Sequence, residues 1–134
     1  MSLIDDLYSK INNLRAGINS NNAKIERLKT VKSEIKEDKE LIEGYKKRWS
    51  DNICAPLAED TTWYGNNKNK VVECATDGVS AEYTTFINNT DQVLDAICDK
   101  ITQLENQNAE WLGIIGDCYS AINNLLNEIE KACN

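Results

Sequence analysis

The chain has 134 residues, 41% of them hydrophobic and 28% charged, with a net charge of −7 and no histidine. That length suits one domain rather than two, the composition excludes a disordered tail, and no run reaches the roughly 18 uninterrupted apolar residues of a spanning helix. An acidic balance also argues against nucleic acid, because neutralising phosphates takes an excess of Lys and Arg. The opening Met1-Ser2-Leu3-Ile4-Asp5-Asp6 has neither a basic n-region nor an apolar h-region. No cleavable secretory signal is expected, so a cytoplasmic protein is the expectation, with any export taking a route that needs no such signal.

From Ile4 the apolar residues step by three and four: Ile4, Leu7, Ile11, Leu14, Ile18, then Ile25, Leu28, Ile35 and Ile42. This is the seam of a heptad repeat, interrupted at Asn21, Lys32 and Lys39. Ser2 with Asp5 three residues on is a helix start, since an oxygen acceptor and an acid in the first turn satisfy free amides. The spacing predicts a helix over about 3–49, a rod of about 70 Å. Residues 50–62 break the pattern and hold Pro56, the only proline, which disfavours helix at Ala55. A loop is expected there, with Asp60 or Thr61 offering an N-cap to the next helix.

A second helical region is predicted over about 63–133. Val71, Val72, Ala75, Val79 and Tyr83 recur at helical spacing, with Asp77-Gly78 among them as the expected kink. A bend or short separate helix is therefore predicted around 62–80. From Ile87 the heptad is nearly perfect: Ile87, Thr90, Leu94, Ile97, Ile101, Leu104, Asn108, Trp111, Ile115, Cys118, Ile122, Leu125, Ile129 and Ala132. Twelve of these fourteen are non-polar. Two long helices with one connection, each carrying an apolar seam, predict an all-α antiparallel hairpin of coiled-coil type, because an exposed seam of that length would aggregate.

Three features go beyond a plain hairpin. Charge is unequal along the chain: residues 24–48 carry nine Lys/Arg and six acids, and residues 49–134 carry four and fourteen. Two arms of opposite sign attract when folded together and steer partners, although two solvated faces account for the same pattern. Seventeen asparagines burden the helices, so these depend on packing for stability. Asn21 and Asn108 fall on the two seams, either as register-setting pairs or facing water. Finally, the last helix is too wide in its apolar face. Phe86, Val93, Leu112, Ile114, Tyr119 and Leu126 lie beside the seam, and from Trp111 to Leu126 the face broadens on both sides. A single narrow-seamed arm is expected to leave part of it free; either a short helix of the same molecule covers it, or Trp111, Leu112, Ile114, Ile115, Tyr119 and Leu126 form a surface for a second copy or a partner's helices.

Enzyme chemistry finds no footing. Without histidine neither a Ser-His-Asp nor a Cys-His arrangement can be built. Gly113-Ile114-Ile115-Gly116 lies inside a helical run and lacks the Lys-Ser/Thr of a phosphate loop. Asp5-Asp6 and Glu59-Asp60 sit at helix starts, where dipole and capping effects account for them. Cys54, Cys74, Cys98, Cys118 and Cys133 are odd in number and widely spaced, which excludes a zinc-finger pattern and reads as reduced, structural thiols. No metal and no cofactor are expected. Acids (Glu110, Asp117, Glu128) flank the wide apolar face, so a membrane surface is disfavoured.

The connection between the helices ends in Trp63-Tyr64-Gly65. Trp63 is of a size to plug the open end of a hairpin, and Gly65 permits a backbone that larger residues resist. With this turn set once between two long amphipathic helices, the sequence resembles the WxG-type helical-hairpin proteins of type VII (ESX) secretion systems of Gram-positive bacteria. Within that group it is most similar to the YwqH-like family. The likeness runs through Lys24-Ile25-Glu26-Arg27-Leu28-Lys29, Thr61-Thr62-Trp63-Tyr64-Gly65-Asn66-Asn67 and Leu94-Asp95-Ala96-Ile97-Cys98-Asp99-Lys100-Ile101.

The resemblance implies a non-enzymatic adaptor or targeting chaperone. Its implied partner is the helical region of an LXG-domain toxin, with a second small helical protein or a second copy as further candidates. The export signal of that class, an aromatic residue four positions before an acid, is not matched by Tyr119 (Asn123 stands four residues on) or Phe86 (Thr90 does). Either a partner supplies the signal or the protein acts inside the cell. A self-assembling coiled coil of a phage or surface scaffold is the competing reading from a different class.

Overall fold

The computed structural model describes residues 2–133, and every regular element in them is helical. The first helix, α1, spans Leu3–Trp49. It starts as its sequence dictates: the Ser2 hydroxyl accepts the Asp5 amide at 3.1 Å, and Asp5 and Asp6 lie in the first turn. Lys46, Lys47 and Arg48 fill the last turn, so acid and base sit at the ends that the helix dipole favours.

Beyond Trp49 the chain departs from the expected loop over 50–62. Residues Ser50–Cys54 continue as a π-helical segment, in which the Ala55 amide reaches back five residues to the Ser50 carbonyl, and α2 spans Ala55–Glu59. The widened turn restarts the hydrogen-bond register. Pro56 thereby falls in the first turn of a new helix, where its missing N–H removes no intrahelical bond. The irregular connection is confined to 60–65. A short helix, α3, comes next at Asn66–Glu73, within the region where one is expected. Asp77-Gly78 does not break the helix either. It lies in a second π-helical segment, Cys74–Val79, which leads directly into α4, Ser80–Cys133.

The hairpin divides into two compact units. One holds residues up to Lys29 and from Cys98 on; in it α1 and α4 pack side by side around Ile11, Ile115, Cys118 and Ile122, with Ile11 and Ile122 fully buried. Ile4, Leu7, Leu14 and Ile18 pack on that cluster from α1. A polar layer crosses the same seam. The Asn21 amide donates to Asn108 Oδ1 and Gln107 Oε1, each at 2.9 Å, and Asn108 Nδ2 donates to Asn22 Oδ1 at 2.9 Å. Asn21 and Asn108 are both buried, so they serve as partners across the seam rather than facing water.

The other unit, Thr30–Ile97, contains the rest of α1, the connection, α3 and the first part of α4. Its two π-helical segments pack against each other, burying Cys54 and Ala75. Here the seam position Lys39 places its ammonium 2.5 Å from Asp91 and 3.7 Å from Glu43. The hydrogen bond to Asp91, with the charges of Asp91 and Glu43, holds the Lys39 pKa above its ordinary 10.5. All five cysteines are free thiols. No helix among the described residues is long and apolar enough to cross a membrane.

Candidate protein-binding surfaces

The connection is organised by backbone capping. Asp60 closes α2, and its carboxylate accepts the Thr62 amide at 2.8 Å and the Thr62 hydroxyl at 2.6 Å. Those two hydrogen bonds hold the Asp60 pKa below its ordinary 3.8. Lys68, reaching back from α3, donates to the Asp60 carbonyl and, at 3.5 Å, to the Ala58 carbonyl. An ammonium there meets the negative end of α2. Asp60 thus acts as a turn-former after one helix instead of the N-cap of the next; the N-cap of α3 is Gly65, whose carbonyl accepts the Asn69 amide at 3.0 Å. Gly65 has φ of 106°, the only positive φ among the described residues, so glycine is required there by backbone conformation.

This capped turn carries Trp63 and Tyr64 outward. Trp63 is 36% exposed and Tyr64 85% exposed. Trp63 therefore does not plug the hairpin. Trp49 takes that place: its indole N–H donates to the Ala75 carbonyl at 2.8 Å. The same carbonyl accepts the Cys54 thiol at 3.5 Å, the Ser80 hydroxyl at 3.3 Å and the Ser80 amide. A π-turn leaves its carbonyls out of the α-helical ladder, and here one of them becomes the point where α1 and the start of α4 are tied. In the sequence Trp49 reads only as the end of a helix. The available signal is a large aromatic placed at that end opposite a small residue, Ala75.

Of the six residues marked on the last helix, four turn toward α1. Ile115 is buried in the core, and Ile114 and Tyr119 pack against it. Tyr119 accepts a 2.6 Å hydrogen bond from Arg15, whose guanidinium lies 5.5 Å from the ring centre. Trp111 is half-buried over Gly17; a Cβ at that glycine would stand 2.7 Å from the indole. Gly17 is a notch that lets α1 accept the largest side chain of the helix opposite. Only Leu112 and Leu126, 58% and 49% exposed, face solvent. The breadth of that apolar face is thus largely absorbed within the hairpin, because Gly17 and Arg15 widen what one arm can cover.

Further exposed apolar side chains lie in the Thr30–Ile97 unit, where Val31, Leu41, Tyr45, Phe86 and Val93 all face solvent. Two clefts lie beside Phe86, and Val93 borders the first of them. One, of about 400 Å³, is lined by Ile35, Asp38, Lys39, Phe86, Asn89, Thr90 and Val93. The other, of about 330 Å³, is lined by Ile42, Val79, Glu82, Tyr83 and Phe86. A third cleft, of about 450 Å³, lies at the capped turn between Tyr64, Lys68 and Thr76. No group of three or more His, Cys, Asp or Glu among the described residues is placed to hold a metal ion.

The site is thus a helical hairpin with a capped turn, a polar layer across its seam and shallow apolar clefts beside Phe86. The YwqH-like family model matches residues 2–130, and the chain belongs to that family. No curated protein and no solved structure matches it.

Proposed function

We propose that the protein is a non-enzymatic adaptor or targeting chaperone that binds the helical LXG region of a toxin bound for type VII secretion. One observation carries the reading: a YwqH-like hairpin with a packed core of its own around Ile11, Ile115, Cys118 and Ile122 keeps Phe86 and Val93 in solvent beside open clefts. An apolar face of this kind on a two-helix protein suits further helices completing a bundle. The absence of histidine and the use of the acids in capping and ion pairing fit a role in binding without catalysis. We place the action in the cytoplasm, before export.

Co-expression with an LXG-domain protein of the same genome tests the proposal. Co-purification through affinity and size-exclusion steps is the expected result. Separate elution of the two proteins at micromolar concentration sinks it, and a large homo-oligomer formed by the chain alone would favour a self-assembling scaffold instead.

A further inference from the structure

We infer that the side of the Thr30–Ile97 unit bearing Phe86 and Val93, and not the Trp111–Leu126 face, is the docking site, and that its occupant is one amphipathic helix with Lys or Arg along its flank. This rests on the partner-binding reading above and names the surface and the chemistry of what it holds.

The geometry is that of a groove prepared for a helix. Val79, the last residue of the second π-helical segment, and Phe86 and Val93 of α4 recur every seven residues and form one row. Val31 and Tyr45 stand two such intervals apart on α1, with Asp38 midway between them, and Leu41 stands one turn before Tyr45. Asp38 and Ile35 line the same cleft as Phe86 and Val93, which puts the two rows on one side of the hairpin. Phe86 borders both the 400 Å³ and the 330 Å³ clefts, so a ridge stands between two hollows. Side chains of a helix at three- and four-residue spacing fill hollows arranged in this way.

Charge selects the occupant. The cation of the larger cleft, Lys39, is neutralised by Asp91 and Glu43, and Arg48 lies 4.9 Å over the ring of its own neighbour Tyr45. Asp38 and Glu82, one at each cleft, have no ion pair among the described residues. Each cleft therefore presents one unpaired acid, and a basic flank complements the two. A second copy fits less well, because a two-fold contact sets the same patch against itself and would bring these acids together.

The test uses the full chain and an LXG-domain protein of the same genome, with affinity measured by titration calorimetry. Phe86→Glu and the pair Asp38→Lys/Glu82→Lys are each expected to weaken binding by about tenfold or more, as loss of a central anchor or of charge complementarity does. Leu112→Glu/Leu126→Glu is expected to stay within about twofold of wild type, as for contacts outside an interface core. Phe86 is exposed, so circular dichroism is expected to report an unchanged fold.

If the wild type binds and Phe86→Glu binds equally well, while Leu112→Glu/Leu126→Glu does not, this inference fails and the proposed function stands. If the wild type shows no binding, both fail. If the chain alone is a dimer that Phe86→Glu dissociates, a second copy owns the face and the inference is overturned.

Discussion

Gly17 and Gly44 are both glycines inside α1, and they have opposite reasons to be there. A methyl at Gly17 would stand 2.7 Å from the Trp111 ring, whereas a methyl at Gly44 would meet nothing within 4 Å. Glycine costs a helix interior about 1 kcal/mol relative to alanine. Gly44→Ala is therefore expected to stabilise the protein by up to about 1 kcal/mol. Gly17→Ala is expected to destabilise it, because an overpacked contact costs about 1–3 kcal/mol and outweighs the helix gain. Urea unfolding of the two variants beside wild type reads both signs.

Gly65 differs again, being held by φ and not by space; Gly65→Ala is expected to cost about 1–3 kcal/mol as backbone strain. Residues of this kind are only partly legible in a sequence. The glycine of the turn is, because a positive φ is its common use. Gly17 is not, because a notch depends on which residue of the other helix lies opposite, and that pairing comes only from the register.

Elements here are set by what crosses the seam. Asn21 and Asn108 satisfy one another together with Gln107 and Asn22. Removing one partner strands the rest, so Asn21→Leu is expected to destabilise by about 1–3 kcal/mol. Replacing both, as Asn21→Leu/Asn108→Leu, is expected to recover most of the loss or exceed wild type, while loosening the choice of register. A double-mutant cycle in urea measures the coupling, and additive losses would contradict the pairing.

Lys39 makes a second seam contact with a pH signature. Its pKa is raised in the folded chain, so its contribution is fully present below 10.5 and is lost as pH rises through the folded value. Asp60 has the opposite sign: its contribution is present above 3.8 and is lost as pH falls through its lowered folded value. Thermal melts of wild type and Lys39→Met should converge above pH 10.5, and an unchanged gap there would contradict the linkage. The heptads make both long helices legible in outline, and Asn21 and Asn108 stand out as polar breaks in them. The π-helical segments are not legible, since Pro56 and Asp77-Gly78 are the same residues that end helices elsewhere. Tertiary packing of Cys54 against Ala75 decides that the chain continues.

For the molecule as a whole, the central question is where apolar surface is left over. Sequence width alone points to Trp111–Leu126, because residues beside a seam count as excess until the facing arm is known. Arg15 and Gly17 of α1 absorb Tyr119 and Trp111, which leaves Leu112 and Leu126 in that unit and Phe86 and Val93 in the other facing solvent. The family is legible from the turn and its setting between two amphipathic helices, although the aromatic side chains of that turn face outward. Everything proposed for this protein depends on the hairpin being completed by another protein's helix. Light scattering on an equimolar mixture of the chain with an LXG-domain protein of the same genome tests that claim most directly. A single species whose mass is the sum of the two is the predicted result. Two peaks, each at the mass of a separate protein, would contradict it.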